Sequence, residues 1–287
     1  MAATMDQLIA FAEDPGASVA IGPDEERILT DRYCLTFSPG EHFWSTSVER
    51  LRFGDDVESA VAEIHDLMAA RDRRAAAWRV GPGSTPPAIH EQLINLGLEP
   101  ESDEGSVILL LTDPPEVGSS SFDVRLVSTY EEHLASVEVG VAAFEFPEAD
   151  AEDERRRARS TFENEQAGGH AVRLVAFDGD RPVATGRAWF SPFGLYLGGG
   201  GTLPSDRARG AMSALVARAW EEAVRRGTPA LVTHGGSMAA SALEKLGFRS
   251  HGRVRHLVDR ASGAAQLTVD GEPHDVAIWS HEAGQDR

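Results

Sequence analysis

Cysteine is nearly absent: the 287 residues contain one, Cys34. An intramolecular disulfide and a cysteine-based metal cluster are thereby excluded, and no metal site is expected. Long apolar runs are missing too. The longest, Val107–Leu111, is strand-sized and far short of the ~18 residues that a membrane span needs. Basic residues are scarce, 27 against 46 acidic ones, for a formal net charge of −19. A nucleic-acid surface and docking on anionic lipid both need a basic footprint, so neither partner is expected. The acidic balance suits a cationic substrate, and it equally suits solubility alone. The opening stretch, MAATMDQLIAFAEDPG, has no basic residues ahead of its apolar part. It therefore does not read as a secretory signal, and a cytoplasmic location is expected.

What is present is an ordinary globular composition, 41% hydrophobic, in a chain near the ~250–300 residues at which single cores stop growing. Two domains or a duplicated unit are the first expectation. Pro114, Pro115, Gly118 and Ser119–Ser121 form a breaker-rich stretch between an apolar strand and a new start at Phe122. The expected division is 1–117, 118–260, and a tail over 261–287. In that tail Gln266–Val269 and Asp275–Trp279 flank a turn at Asp270–Gly271 and suggest a hairpin.

The second half alternates clearly. Strands are expected at Asp123–Val127, Val172–Phe177, Val183–Phe190, Leu195–Leu203, Ala230–Thr233 and Arg253–Asp259, with a hairpin turn at Asp178–Asp180. Helices are expected at Tyr130–Phe144, Glu152–Glu165, Ala211–Arg226 and Ser237–Leu246. A meander followed by a strand–helix–strand crossover implies a mixed sheet. A repeat at an offset of 150 residues is also visible, where Gln92–Leu98 aligns with Ala242–Phe248. Upstream, helix Val57–Arg71 precedes strand Ala75–Val80, as Arg207–Arg226 precedes Ala230–Thr233. The shared element order points to duplication.

The most informative stretch is Gly198-Gly-Gly-Gly-Thr-Leu-Pro-Ser-Asp-Arg-Ala-Arg-Gly-Ala-Met-Ser-Ala-Leu215. A strand ends, Pro204 turns the chain, and a helix starts near Gly210. A helix start offers unpaired N–H groups and the positive end of its dipole. Arg207 and Arg209 add full charges there, so the turn is a candidate pyrophosphate site. The tetrapeptide Arg-x-x-Gly alone decides nothing, because it recurs at Arg249–Gly252 and Arg260–Gly263. Its place between strand and helix sets Arg207–Gly210 apart; otherwise the stretch is a helix entry with solvated arginines.

This turn resembles the acyl-CoA pyrophosphate motif of the GNAT acyltransferase superfamily. Arg207 and Gly210 match its Gln/Arg-x-x-Gly-x-Gly/Ala consensus, and Met212 departs from it. The Leu246-Gly247-Phe248 ending resembles that of the family's later helix. In the first half the corresponding turn, Gly54-Asp55-Asp56-Val57, is acidic and would repel phosphate. The whole resembles tandem GNAT proteins, in which one repeat binds acyl-CoA and the other is structural. The resemblance implies an α/β fold of two GNAT-like domains, each a mixed, mostly antiparallel sheet flanked by helices, the first of them degenerate.

It further implies direct acyl transfer from CoA, most simply acetyl-CoA, to a primary amine of a small molecule or peptide. Aligned from Arg207, the N–H that meets the thioester oxygen falls at about Gly200 and the pantetheine contact at about Thr202. Arg207, Ala208, Arg209, Gly210, Ala211 and Met212 would receive the pyrophosphate, and Ser237 joins the coenzyme-binding set. Gly198–Gly201 suit a bulged strand with open access, or else relieve packing against the neighbouring repeat. Many family members place a tyrosine where this chain has Leu243, and an asparagine where it has Gly236. Tyr196, His234, Ser237 and Ser241 are the substitutes. His234 follows a strand at the expected cleft, and an ordinary imidazole pKa of ~6.5 suits proton transfer, although a lone histidine at a strand end is more often structural. Glu145 or Glu148, in the loop Phe144–Glu148, would hold a cationic amine or relay its proton, or simply lie in a solvated loop. His42, Phe43 and Trp44 are expected in the core rather than the cleft. The rival from another class is a catalytically inactive acyl-CoA sensor, and a third reading is a duplication that binds no CoA. A Rossmann reading fails, because Gly198–Gly201 lies inside a strand and no G-x-G-x-x-G opens a helix.

Overall fold

The computed structural model describes residues 3–260 apart from 41, 103 and 119. The expected hairpin at 266–279 lies outside the described residues. The first unit contains helix α1 (Met5–Glu13), strands β1 (Glu26–Leu29), β2 (Cys34–Phe37) and β3 (Thr46–Glu49), helix α2 (Val57–Ala69), strand β4 (Ala75–Val80), helix α3 (Ile89–Asn95), and strands β5 (Glu99–Pro100) and β6 (Ser106–Leu111). The second contains β7 (Asp123–Leu126), α4 (Tyr130–Ala143), α5 (Glu148–Gly168), β8 (Ala171–Asp178), β9 (Arg181–Phe190), β10 (Leu195–Thr202), α6 (Ala211–Arg225), β11 (Leu231–Gly235), α7 (Ser237–Glu244) and β12 (Arg249–Arg260).

Local chemistry explains most boundaries. Thr4 and Gln7 form a reciprocal capping box on α1, as Thr129 and Glu132 do on α4. The β8–β9 hairpin turns through Gly179 at φ +62°, which costs glycine nothing. Helix α6 buries Ala211, Leu215, Val216, Ala219 and Ala223 along one face, while Met212 is half-buried. Helix α5 begins earlier than expected, at Glu148, because Pro147 holds its N-cap and needs no N–H there.

The repeat is visible in detail where α3 and α7 end. Gly97 and Gly247 both take φ +98°. The amides of Leu98 and Phe248 then reach back to the Leu93 and Leu243 carbonyls, at 3.1 and 3.2 Å. A left-handed glycine followed by such a back-bond is a common helix stop.

The two units share one sheet, in the order β1-β2-β3-β4-β12-β6-β11-β10-β9-β8-β7. Outward from the central β12–β6 pair, both directions run through matching strands: β4 and β11, then β3 and β10. Those neighbours pair in parallel, β3 with β4 and β10 with β11, while the other pairings are antiparallel. The last strands of the repeats are exchanged. Strand β6 of the first half pairs with β11, and β12 of the second half pairs with β4. The helices α6 and α7 cover one face of the second unit over a large apolar cluster that includes Leu109, Leu197, Leu231 and Leu243. The core of α2 and α3 lies against Val48, Trp78 and Leu257. On the opposite face α1 seals Ile108, Leu110, Tyr196, Val232 and Val254 with Leu8 and Phe11.

Candidate active site

The site begins at a fork. Strands β10 and β11 pair from Leu195↔Leu231 to Leu197↔Thr233, and their mutual pairing ends there. The Thr233 hydroxyl donates to the Leu197 carbonyl at 2.9 Å and pins the apex. From Gly198 and His234 onward β10 follows β9, and β11 follows β6. The register of β10 against β9 shifts between Gly198 and Gly201, with Gly199 at φ +59°. This is the bulge that the four glycines suggested. Gly201 is small for a local reason: a Cβ there would lie 2.8 Å from the Ala143 Cβ and 3.2 Å from the Phe144 ring. That neighbour is α4 of the same unit rather than the other repeat. Gly200 is buried and Thr202 half-buried along the diverging edge.

Beyond Thr202 a 3-10 turn, Pro204–Asp206, leads into Arg207, Ala208, Arg209 and Gly210, and α6 starts at Ala211. Ala208 and Gly210 take positive φ, +59° and +90°. Gly210 caps the helix without a side-chain hydrogen bond, and the first helical bond runs from the Ala214 amide to the Gly210 carbonyl at 3.0 Å. The amides of Ala211, Met212 and Ser213 therefore precede the helical ladder and face out of its positive end.

The two arginines are already engaged. Arg209 pairs with Asp206 at 2.5 Å and with Asp178 at 2.9 Å. Arg181 holds the same Asp206 with two bonds, 2.8 and 2.6 Å. Hydrogen bonds from Arg181, Ser205 and Arg209 hold the Asp206 carboxyl well below the usual carboxylate range despite its burial. Arg207 donates to the Ala143 carbonyl, the last of α4, at 3.3 Å, and its Nε is buried without a partner. Three guanidiniums (Arg181, Arg207, Arg209) thus face two carboxylates (Asp178, Asp206), leaving one net positive charge at the turn.

Tyr196 and His234 come together at the fork with ring centroids 5.8 Å apart, edge to face. They lie beneath α1 rather than in open solvent. His234 is fully buried, and its Nε2 meets the Ala12 carbonyl at 2.7 Å. A carbonyl only accepts, so Nε2 carries the proton and Nδ1 is the bare lone pair. Nδ1 and the Tyr196 hydroxyl are both buried without a partner. Burial, then the charge of Arg79, lowers the His234 pKa to about 4, while the Ala12 bond opposes this. Burial raises that of Tyr196. Orphaned polar groups buried this way suit a bound water or a polar atom of a ligand. Leu243, where the family's tyrosine falls, is fully buried in the apolar core.

The remaining candidates lie around the rim. Glu145 is exposed at φ +52°, the left-handed end of α4, where the Phe146 amide reaches back to the Val141 carbonyl at 3.1 Å. Glu148 pairs with Arg155 at 3.3 Å. The expectation that His42, Phe43 and Trp44 belong to the core is corrected: all three are half-buried. Trp44 stacks on Phe146 at 6.3 Å and 26°, and Phe146 on Phe144 at 5.9 Å and 26°. An aromatic stack from both units therefore borders the Ala143–Arg207 contact. Ser237 is away from this group, exposed, and donates to Glu104 at 2.6 Å. Ser241 bonds the Ser237 carbonyl within α7. Cys34 is buried, and burial pushes its thiol up to about 12, so it offers no nucleophile.

The first unit has a corresponding fork that is shut. Strands β3 and β4 pair at Ser47↔Ala77 and Val48↔Trp78, and the next residues, Glu49 and Arg79, pair with each other at 3.4 Å. Asp14 Oδ1 accepts from the Arg50 amide at 2.9 Å, Glu13 from the Gly83 amide at 2.6 Å, and Glu49 from the Gly16 amide at 3.1 Å. The segment Glu13–Gly16 thus occupies this fork. Sequence reasoning missed Ala12, Glu13 and Asp14; the Thr4-x-x-Gln7 capping box ahead of Pro15–Gly16 was the available signal.

No family model matches the sequence, and no curated protein matches it. Solved structures do resemble the chain. A GCN5-related N-acetyltransferase from Kribbella flavida aligns with TM-score 0.63 and 16% identity over 92% of this chain and 98% of its own. A tandem GNAT protein from the clavulanic acid biosynthesis pathway aligns with TM-score 0.55 and 14% identity, over 92% and 98%. A GCN5-related N-acetyltransferase from Sphaerobacter thermophilus gives 0.54 and 17%, over 81% and 82%. At such identities the likeness establishes the fold: two GNAT-like α/β units in tandem. Among the described residues no helix is long and apolar enough to cross a membrane, and no group of three or more His, Cys, Asp or Glu is placed to hold a metal ion.

Proposed function

We propose that the chain is an acyl-CoA-dependent N-acyltransferase, using acetyl-CoA and transferring the acyl group directly to a primary amine. The observation that carries this reading is the open fork of the second unit. Its apex is pinned at Thr233, one edge is bulged through glycines, and it runs into a helix start with outward amides. In this reading the Ala211–Ser213 amides, with Arg207 and Arg209, receive the pyrophosphate, and Ala208, Gly210 and Met212 shape the turn. Thr202 contacts pantetheine, and the Gly200 N–H polarises the thioester carbonyl. A preorganised donor of that kind was worth ~2.7–4 kcal/mol where one was removed in another enzyme.

In the reaction the amine nitrogen bonds to the acyl carbon, the carbon–sulfur bond breaks, and a proton passes from nitrogen to the leaving sulfur. In this reading Tyr196 and His234, whose hydroxyl and Nδ1 are buried without partners, hold or carry that proton. Glu145 at the rim offers a carboxylate to an incoming ammonium. A buried imidazole of low pKa accepts a proton from the strongly acidic protonated adduct, rather than from the free ammonium, and returns it to the thiolate.

The test is calorimetry with acetyl-CoA, together with a thiol-release assay over a library of primary amines. Micromolar binding with amine-dependent release is expected, and Arg207→Glu should weaken binding by at least tenfold. Binding without release with any amine would make the chain an acyl-CoA-binding protein instead. No binding, or binding indifferent to Arg207→Glu, would remove the coenzyme site itself.

A further inference from the structure

The segment that fills the first fork also holds the key histidine of the second. Ala12, Glu13 and Asp14 are consecutive, at the end of α1. The Ala12 carbonyl takes the His234 Nε2–H of the second unit at 2.7 Å. Two residues on, the Asp14 carboxylate takes the Arg50 amide at 2.9 Å and the Arg52 guanidinium at 3.2 Å in the first. Glu13 adds the Gly83 amide at 2.6 Å. The helix C-terminus, where carbonyls lose their internal partners, is anchored on each side of the sheet junction by a different unit.

The choice of tautomer follows from this anchor. A neutral imidazole carries its proton on one nitrogen, and the partner of the other nitrogen decides which. Without the Ala12 carbonyl, Nε2 would be a second buried orphan beside Nδ1. The proton would then be free to sit on either, and the ring free to turn. Facing His234 are the Tyr196 ring on β10, Arg79 on β4 and His256 on β12. Arg79 is a cation and offers no acceptor for Nε2–H, and the Nε2 of His256, which burial keeps neutral, lies against the Ser106 hydroxyl at 3.1 Å.

We propose that Asp14, seated in the closed fork of the first unit, is a positioning residue for the open fork of the second: it holds the Ala12 carbonyl on His234 and so keeps Nδ1 an unprotonated lone pair beside Tyr196. The proposal rests on the reading that His234 serves the transfer cleft, and it gives the degenerate unit a chemical task. The unit that has lost its own ligand groove uses it to grip the chain's N-terminal segment. Asp14 shares its site with Glu49 and Glu13, and burial together with those charges pushes its carboxyl up to about 7, while Arg52 and the Arg50 amide hold it down. A carboxyl held in so costly a place marks an anchor rather than a solvated surface group.

The experiment is long-range proton–nitrogen NMR on the full-length chain labelled in its histidines, without substrate, with the His234 signals assigned through His234→Gln. In the wild-type protein His234 should show a single Nε2–H tautomer and no titration above pH 5. Asp14→Ala should give mixed tautomers and a titration midpoint moved further down, because the Ala12 bond that it loosens raises the His234 pKa. Asp14→Asn keeps an oxygen for the Arg50 amide and should restore the wild-type pattern. In the transfer assay Asp14→Ala should lower kcat at least tenfold with KM for acyl-CoA unchanged. If Asp14→Ala does not fold, Arg52→Met removes the 3.2 Å pair and is read the same way. A single unchanged tautomer and midpoint in a folded Asp14→Ala or Arg52→Met protein overturns the proposal. So does an Nδ1–H tautomer in the wild type. Because the tautomer is read without turnover, failure of the positioning claim and failure of the acyltransferase reading are separate results.

Discussion

Asp206→Asn should push stability and coenzyme affinity in opposite directions. Asp206 is 1% exposed and accepts two bonds from Arg181 and one from Arg209, whose side chains are 51% and 44% exposed. Breaking a fully buried pair costs ~3–5 kcal/mol, and an exposed pair is worth ~0–1 kcal/mol. With the carboxylate buried and both guanidiniums half in water, the cost falls between, at about 1–2 kcal/mol. The asparagine also turns an N–H toward donors that need an acceptor. The turn, meanwhile, goes from one net positive charge to two, with Arg209 released from its nearer partner. A unit charge ~4 Å from another in surroundings of effective dielectric ~20–80 is worth about 1–4 kcal/mol. Part of that gain goes into ordering the freed side chain, so a three- to tenfold tighter dissociation constant for CoA is expected, ~0.7–1.4 kcal/mol. Urea denaturation gives the first quantity and calorimetry the second. Repeating the calorimetry at 50 and 300 mM salt should show a steeper salt dependence in the variant. Unchanged or weaker CoA binding by a folded Asp206→Asn protein would refute the placement of phosphate at this turn.

Gly201→Val should cost about 1–3 kcal/mol in urea denaturation, because its first added carbon already meets Ala143 at 2.8 Å and the Phe144 ring at 3.2 Å. Stability within 0.5 kcal/mol of wild type would show that α4 yields freely there. The Asp14 carboxyl predicts a pH dependence of opposite sign to the usual carboxylate. Its folded pKa is raised from 3.8 to about 7, so the folded state binds the extra proton between those values and stability falls as pH rises through that window. The full effect is on the order of 4 kcal/mol at most. In denaturation midpoints from pH 4 to 8, Asp14→Asn should flatten the Asp14 part of the slope; an identical slope in the variant would remove Asp14 as its source. The charges facing Asp14 are Glu13, Glu49 and Arg52, joined by the Arg50 amide, with the Cys34 thiol beyond.

What could be read from the sequence was what is encoded locally. The Asp178–Gly179 hairpin, the start of helix α6 at Ala211 and the Gly247 stop are set by a few adjacent residues, and each lies where expected. The repeat was legible because its helix stop is chemical, a glycine at positive φ followed by a leucine or phenylalanine. The glycine bulge was legible for the same reason. What escaped depends on partners distant in sequence. Arg209 looked free because Asp178 lies 31 positions away, although Asp206 at i−3 was in plain view. That α1 lies over His234 was not legible, because its contact with Ala12 spans 222 residues. Helix α1 itself was missed: its apolar part was weighed only as a secretory signal, although a capping box opens it and Leu8, Phe11 and Ala12 are buried. The rim aromatics were assigned to the core because exposure of Trp44 is decided by the other unit's Phe146.

The crossing of β6 and β12 at the centre of the sheet gives the molecule a history and a constraint. One repeat made alone would present an unfilled slot beside its helix-following strand and an arm with nowhere to lie, a geometry that a second identical copy relieves by reciprocal embrace. The covalent link through residues 112–122 makes that embrace internal, so the two halves are bound to keep each other's company.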